Sequence, residues 1–176
     1  MNDDWTHLES HTEYETGWYT GGYDLLEQPD GTEKRYYWAE LPPAVVVVAV
    51  ADEEVVLVEQ YRPAVRETFL ECPAGIVEDG ESYTDAAVRE LREETGFAAS
   101  SASLLQRFHV ATGVLRHERG IVFAEGLSPA EPDRDGNEFL RVRTVPVEDA
   151  LEVARAGPAN DATIEALLLA REDGLL

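Results

Sequence analysis

The eight residues Ala44–Ala51, AVVVVAVA, are apolar without a break and mostly β-branched. Stiff β-branched side chains favour an extended backbone, and a strand without polar alternation has no face to offer to water. This stretch is therefore predicted to be a strand covered on both faces, and it is far too short to cross a bilayer. Asp52-Glu53-Glu54 reads as a turn, Val55–Tyr61 as the next strand, and Phe69–Pro73 as a shorter extended piece leading into Gly75. Upstream, Trp18–Leu26, the turn signal Gln28-Pro29-Asp30-Gly31 and Glu33–Ala39 form an expected β-hairpin, separated from the apolar strand by Leu41-Pro42-Pro43.

After Gly75 the apolar period lengthens from two towards four. Ala87, Val88 and Leu91 fall at helical spacing between Ser82 and Glu94, with Ser82 and Asp85 as an N-terminal cap and Gly96 as the stop. Ala102–His109, Gly120–Glu125 and Glu138–Thr144 are strand candidates. Val147–Ala156 and Asp161–Arg171, with Ile164, Leu167 and Leu168 on one face, close the chain as amphipathic helices. Strands interspersed with helices predict an α/β layered domain. At 176 residues, with no internal repeat and no dividing linker, the chain is expected to hold one domain over residues 17–176, preceded by a polar segment, residues 1–16, that frays.

Fourteen basic residues stand against 36 acids, a formal charge of −22. Phosphate neutralisation needs the opposite sign, so nucleic acid and anionic lipid are excluded as expected partners. The basic residues are 13 Arg and one Lys, Lys34, a pattern suited to a molar-salt cytoplasm where screening removes self-repulsion. A halophilic, cytoplasmic protein is the resulting expectation, since no secretory signal pattern is visible. With Cys72 as the only cysteine, neither an intramolecular disulfide nor a Cys-based zinc site can form.

The chemistry concentrates in Gly75–Phe97, GIVEDGESYTDAAVRELREETGF. On a helix Glu90, Glu93 and Glu94 stand at i, i+3 and i+4 and project to one side, where each like-charge pair costs a few tenths of a kcal/mol. A hard divalent cation reverses that sign, and an oxygen-only donor set favours Mg²⁺ or Mn²⁺ over zinc. Arg89 can orient one carboxylate. Gly75 and Gly80 allow a tight loop that brings backbone oxygens near the same cation.

This segment resembles the Nudix box, G-x5-E-x7-R-E-U-x-E-E-x-G-U, with Gly75, Glu81, Arg89, Glu90, Leu91, Glu93, Glu94, Gly96 and Phe97 at its constrained positions. The resemblance implies an α/β/α sandwich around a mixed sheet and hydrolysis of a nucleoside diphosphate linked to another moiety by metal-activated water. It further implies Glu90, Glu94 and the Ala74 carbonyl as metal ligands, Glu93 as a further ligand or base, and Arg89 as an orienting group. Glu81 is expected close behind the ligands, on the substrate side.

A narrower resemblance, over roughly 19–169, is to the ADP-ribose pyrophosphatase branch. It rests on Glu59-Gln60-Tyr61-Arg62 and Leu70-Glu71-Cys72-Pro73-Ala74-Gly75, joined by Glu138-Phe139-Leu140-Arg141-Val142 and the run 161–167. It implies Arg62 on a substrate phosphate and Glu138 completing the site, with Glu131, Asp133 and Asp135 competing as base. It implies, too, a homodimer built through the N-terminal strands. One departure is Ala111-Thr112-Gly113, where this branch often carries proline before the glycine. ADP-ribose, cleaved to AMP and ribose 5-phosphate, is the expected small-molecule substrate, with another nucleotide sugar, a nucleoside triphosphate or a non-catalytic nucleotide sensor as alternatives. Cys72 is expected to be a small buried thiol, and His109 and His117 structural.

Overall fold

The structure, a computed structural model, describes residues 4–131 and 139–176. In chain order its elements are β1 (Thr6–Glu15), β2 (Thr20–Glu27), β3 (Glu33–Glu40), β4 (Ala44–Ala51), β5 (Glu54–Arg62), β6 (Glu67–Glu71), β7 (Ala74–Ile76), α1 (Tyr83–Thr95), β8 (Phe97–Ala98), β9 (Ser101–His109), β10 (Leu115–Arg116), β11 (Glu118–Glu125), β12 (Ser128–Pro129), β13 (Leu140–Pro146), α2 (Val147–Ala156) and α3 (Asp161–Glu172). By backbone contacts the described chain divides into two compact units, one running up to Pro43 and including Phe108–Glu118, the other Ala44–Arg107 with Arg119–Leu176.

In the second unit the apolar run becomes β4, and Val45 to Ala49 are all buried. It lies inside a mixed sheet of order β13-β5-β4-β11-β9, parallel to β11 and antiparallel to β5. Val45, Val47 and Ala49 pack with Val56, Val122 and Ala124 against Ala86, Ala87 and Leu91 of α1. Alternation along the strand turns Val46 and Val48 the other way, and α3 also packs on β4 through a stripe that buries Ala166, Leu167 and Ala170. Helix, sheet and helix thus form the expected α/β/α sandwich. Each fully buried Val or Leu contributes on the order of 2 kcal/mol.

Helix α1 begins and ends where its sequence says. The Ser82 hydroxyl accepts from the Asp85 N–H at 3.1 Å, and Gly96 closes the helix in the left-handed conformation at φ 73°. Helix α3 is capped in the same manner by Asn160, whose side chain accepts from the Thr163 N–H. No helix among the described residues is long and apolar enough to cross a membrane.

The first unit is a four-stranded sheet of order β1-β2-β3-β10. The expected hairpin is β2 and β3, paired from Thr20↔Glu40 to Glu27↔Glu33. Fraying of residues 1–16 is corrected for Thr6–Glu15, which form a ten-residue edge strand exposed at every position. A strand exposed on both faces carries no apolar alternation, so its sequence shows no period. Backbone pairing with β2 holds it instead, through two register shifts. A Cβ on Gly22 would lie 2.0 Å from the His11 carbonyl oxygen, so the glycine is what lets β1 approach.

Candidate active site

Helix α1 carries the acids and β7 provides the surface they face. Glu90 and Glu94, one turn apart, are 8% and 4% exposed. Two carboxylates so deeply withdrawn from water require charge-assisted partners. The Glu94 Oε2 accepts from the Ala74 N–H at 3.1 Å. Glu90 reaches the neighbouring backbone because Gly75 has no side chain, since a Cβ there would stand 1.9 Å from the Glu90 carboxyl carbon. Gly75 therefore serves as a cradle rather than as the loop-tightening residue expected from sequence. Gly80, at φ 83°, does make the turn.

Arg89 organises the remaining acids. Its Nη1 donates to Glu90 Oε1 at 2.8 Å and Glu93 Oε2 at 3.1 Å, while Nη2 donates to Glu81 Oε2 at 2.9 Å and the Ile76 carbonyl at 2.8 Å. Nε donates to Glu81 Oε1, completing a two-pronged pair. The hydrogen bond from Arg89 holds the Glu81 carboxyl below its ordinary pKa against the opposing effect of burial. Glu81 in turn raises the pKa of Arg89, again against burial, with Glu90 and Glu93 adding to the rise. Sequence reasoning gave Arg89 one carboxylate to orient, and the structure gives it three.

The donor chemistry fits a hard divalent cation. Oxygen is the only donor type presented, two of the carboxylates are buried, and the Gly75 cradle presses one against backbone. Among the described residues no three His, Cys, Asp or Glu side chains converge closely enough to hold a metal by themselves. The structure brings Glu94 onto the Ala74 N–H and Glu90 onto Gly75, with Glu93 on Arg89.

Arg62, at the end of β5, pairs with the buried Glu71. Sequence reasoning quoted Glu71 in its motif without giving it a role. Of its partners, Arg62 lies nine residues before it on the neighbouring strand, but Asn160 lies 89 residues on, where no local spacing could have shown it. Glu131 is exposed, whereas Glu138, Asp133 and Asp135 lie outside the described residues. Cys72 is buried, and burial pushes its thiol up to about 12, which removes it as a nucleophile. His117 donates through Nδ1–H to the Pro42 carbonyl at 2.9 Å, a structural contact.

The α/β/α sandwich is the fold that the resemblance to the Nudix box implies. The NUDIX domain model matches residues 40–167, and the chain belongs to that family; it is a Nudix pyrophosphohydrolase. Among its relatives, the ADP-ribose pyrophosphatase of Bacillus subtilis is 36% identical over 140 residues, 78% of this chain and 76% of that protein. The methanol dehydrogenase activator of Bacillus methanolicus is 33% identical over 132 residues, 73% of this chain and 71% of its own. A crystal structure of an ADP compounds hydrolase superposes with a TM-score of 0.86 at 27% identity, covering 98% of this chain and 97% of that one.

Proposed function

We propose that this chain hydrolyses the phosphoanhydride bond of a nucleoside diphosphate joined to a sugar phosphate, with ADP-ribose as substrate and AMP and ribose 5-phosphate as products. The observation that carries the reading is the buried pair Glu90 and Glu94 held against the Ala74–Gly75 backbone. The relatives named for ADP-ribose and for ADP compounds support the substrate class.

Glu90, Glu94 and the Ala74 carbonyl would hold Mg²⁺, with Mn²⁺ as the alternative. Such a cation supplies the positive charge that admits a pyrophosphate among carboxylates and eases ionisation of the attacking water. Arg62 places a guanidinium on a substrate phosphate, and Arg89 with Glu81 keeps Glu90 and Glu93 in place. Glu93 or Glu138 takes the proton of the water whose oxygen joins phosphorus. The bridging P–O bond breaks, and its oxygen leaves with the departing phosphate.

The same reading takes the protein as a cytoplasmic homodimer working at high salt. The exposed Tyr14, Trp18 and Tyr37 support a contact surface on the N-terminal strands, and the charge of −22 supports the salt preference. The Ala111-Thr112-Gly113 departure favours no one substrate, and another nucleotide sugar stands as the alternative. Chromatography of products from ADP-ribose and a panel of nucleotide sugars, with Mg²⁺ across a salt series, tests it. AMP from ADP-ribose is expected, rising with salt. Binding seen as a melting-temperature shift with no AMP released would instead make the chain a sensor.

A further inference from the structure

We infer that Glu71 is a positioning residue: clasped between Arg62 and Asn160, it fixes the Arg62 guanidinium so that its outer edge faces a substrate phosphate. The inference rests on the function proposed above, because it takes Arg62 as the phosphate-facing cation.

Glu71 is the last residue of β6 and is 2% exposed, three residues before the Ala74 backbone that meets Glu94. Both its oxygens are engaged. Oε2 accepts from Arg62 Nε at 2.8 Å and Nη2 at 2.6 Å, and Oε1 accepts from Asn160 Nδ2 at 2.5 Å. The carboxylate is thus gripped from two sides and cannot turn without losing a charge-assisted bond. The Arg62 side chain is 42% exposed, and its Nη1 has no acceptor among the described residues. A guanidinium is planar, so fixing the Nε and Nη2 edge also fixes the direction of the remaining N–H groups.

The grip is braced from behind. Asn160 caps α3 by accepting from the Thr163 N–H at 3.2 Å, and the Thr163 hydroxyl accepts from the Cys72 N–H at 3.0 Å. Cys72 follows Glu71 directly, so the chain of contacts closes on itself and ties Arg62 to the start of α3 and the end of β6. A surface ion pair alone would leave Arg62 free to exchange rotamers. Here its partner is immobile before substrate arrives, which is how a positioned cation gains affinity without a new contact.

The test is a double-mutant cycle on Arg62→Ala and Glu71→Gln, read as KM and kcat for ADP-ribose, as Kd for ADP, and as melting temperature. Glu71→Gln is expected to raise KM and the ADP Kd about tenfold, with kcat changed by less than about threefold. If Glu71 acts through Arg62, the double variant is no worse than Arg62→Ala. Should Glu71→Gln fail to fold, Asn160→Ser replaces it in the cycle, because serine still caps α3 but its shorter side chain lacks the Nδ2 amide that grips Glu71. Additive losses, or a lowered melting temperature with unchanged KM, overturn the positioning role while the function stands. A wild-type chain that binds ADP without cleaving ADP-ribose overturns the function, and the cycle then decides the positioning role in ADP affinity. A wild-type chain that does neither overturns both.

Discussion

Each unit of the molecule is built around one charged side chain, and the two centres have opposite sign. In the first, the carboxylate of Asp24 gathers Ser10 Oγ at 2.7 Å, Trp38 Nε1 at 3.0 Å and the guanidinium of Arg116, which lies 4.0 Å over the Trp38 ring. In the second, the guanidinium of Arg89 gathers Glu81, Glu90 and Glu93. Asp24 and Arg116 cancel, neutral donors complete the set, and the exposed Glu40 approaches Arg116 at 3.7 Å from its rim. Arg89 sets one charge against three acids, and Glu94 lies on the same helix. A balanced cluster is a fastening. Several acids gathered around one guanidinium make physical sense as a receptor for cations.

The largest effect expected from that difference is on turnover. Glu94→Gln keeps an acceptor for the Ala74 N–H and removes one negative charge, so the fold should hold while kcat/KM for ADP-ribose falls on the order of a thousandfold. Retention of a tenth of the wild-type rate would place the cation sites elsewhere. Gly75→Ala comes next. The colliding atom is the end of a flexible side chain, so Glu90 swings aside and the loss falls mainly on activity, on the order of a hundredfold, with about 1 kcal/mol in stability. A larger loss of stability than of activity would make the cradle a packing feature.

These two variants also mark what the sequence could and could not tell. The AVVVVAVA strand, the Ser82 and Gly96 helix ends and the acid triplet were legible because each is a local pattern with a local cause. Gly75 was legible as important but not for its reason, which is the Glu90 carboxylate fifteen positions on. Strand β1 was not legible at all. Its ten exposed residues owe their shape to backbone pairing with β2, for which side chains give no period. Glu71 escaped for a related cause, since the amide that steadies it belongs to Asn160, 89 residues away.

The sign of the second cluster can be tested through stability. Arg89→Met leaves three carboxylates without their cation, and because Arg89 is a quarter exposed the expected loss is about 2 kcal/mol, below that of a fully buried pair. Millimolar Mg²⁺ should then raise the melting temperature more in the variant than in the wild type, since it relieves more repulsion. An equal rise in both would mean that Arg89 and the cation act on separate charges.

The smallest effect is expected at Asp24, where the charges already balance. Burial pushes its carboxyl pKa up, but the hydrogen bonds from Ser10, Trp38 and Arg116 outweigh it and hold the net value below the ordinary 3.8. A folded-state value below the unfolded one means that ionised Asp24 stabilises the sheet fully above that range and that the contribution is lost as pH falls through the lowered value. Asp24→Asn keeps an oxygen for Ser10 and Trp38 but weakens the bond to Arg116, so a loss of about 1 kcal/mol is expected near neutrality. Denaturant melts of the two proteins should converge as pH falls from 3.8 through the lowered folded-state value, below which the wild-type residue is neutral as well.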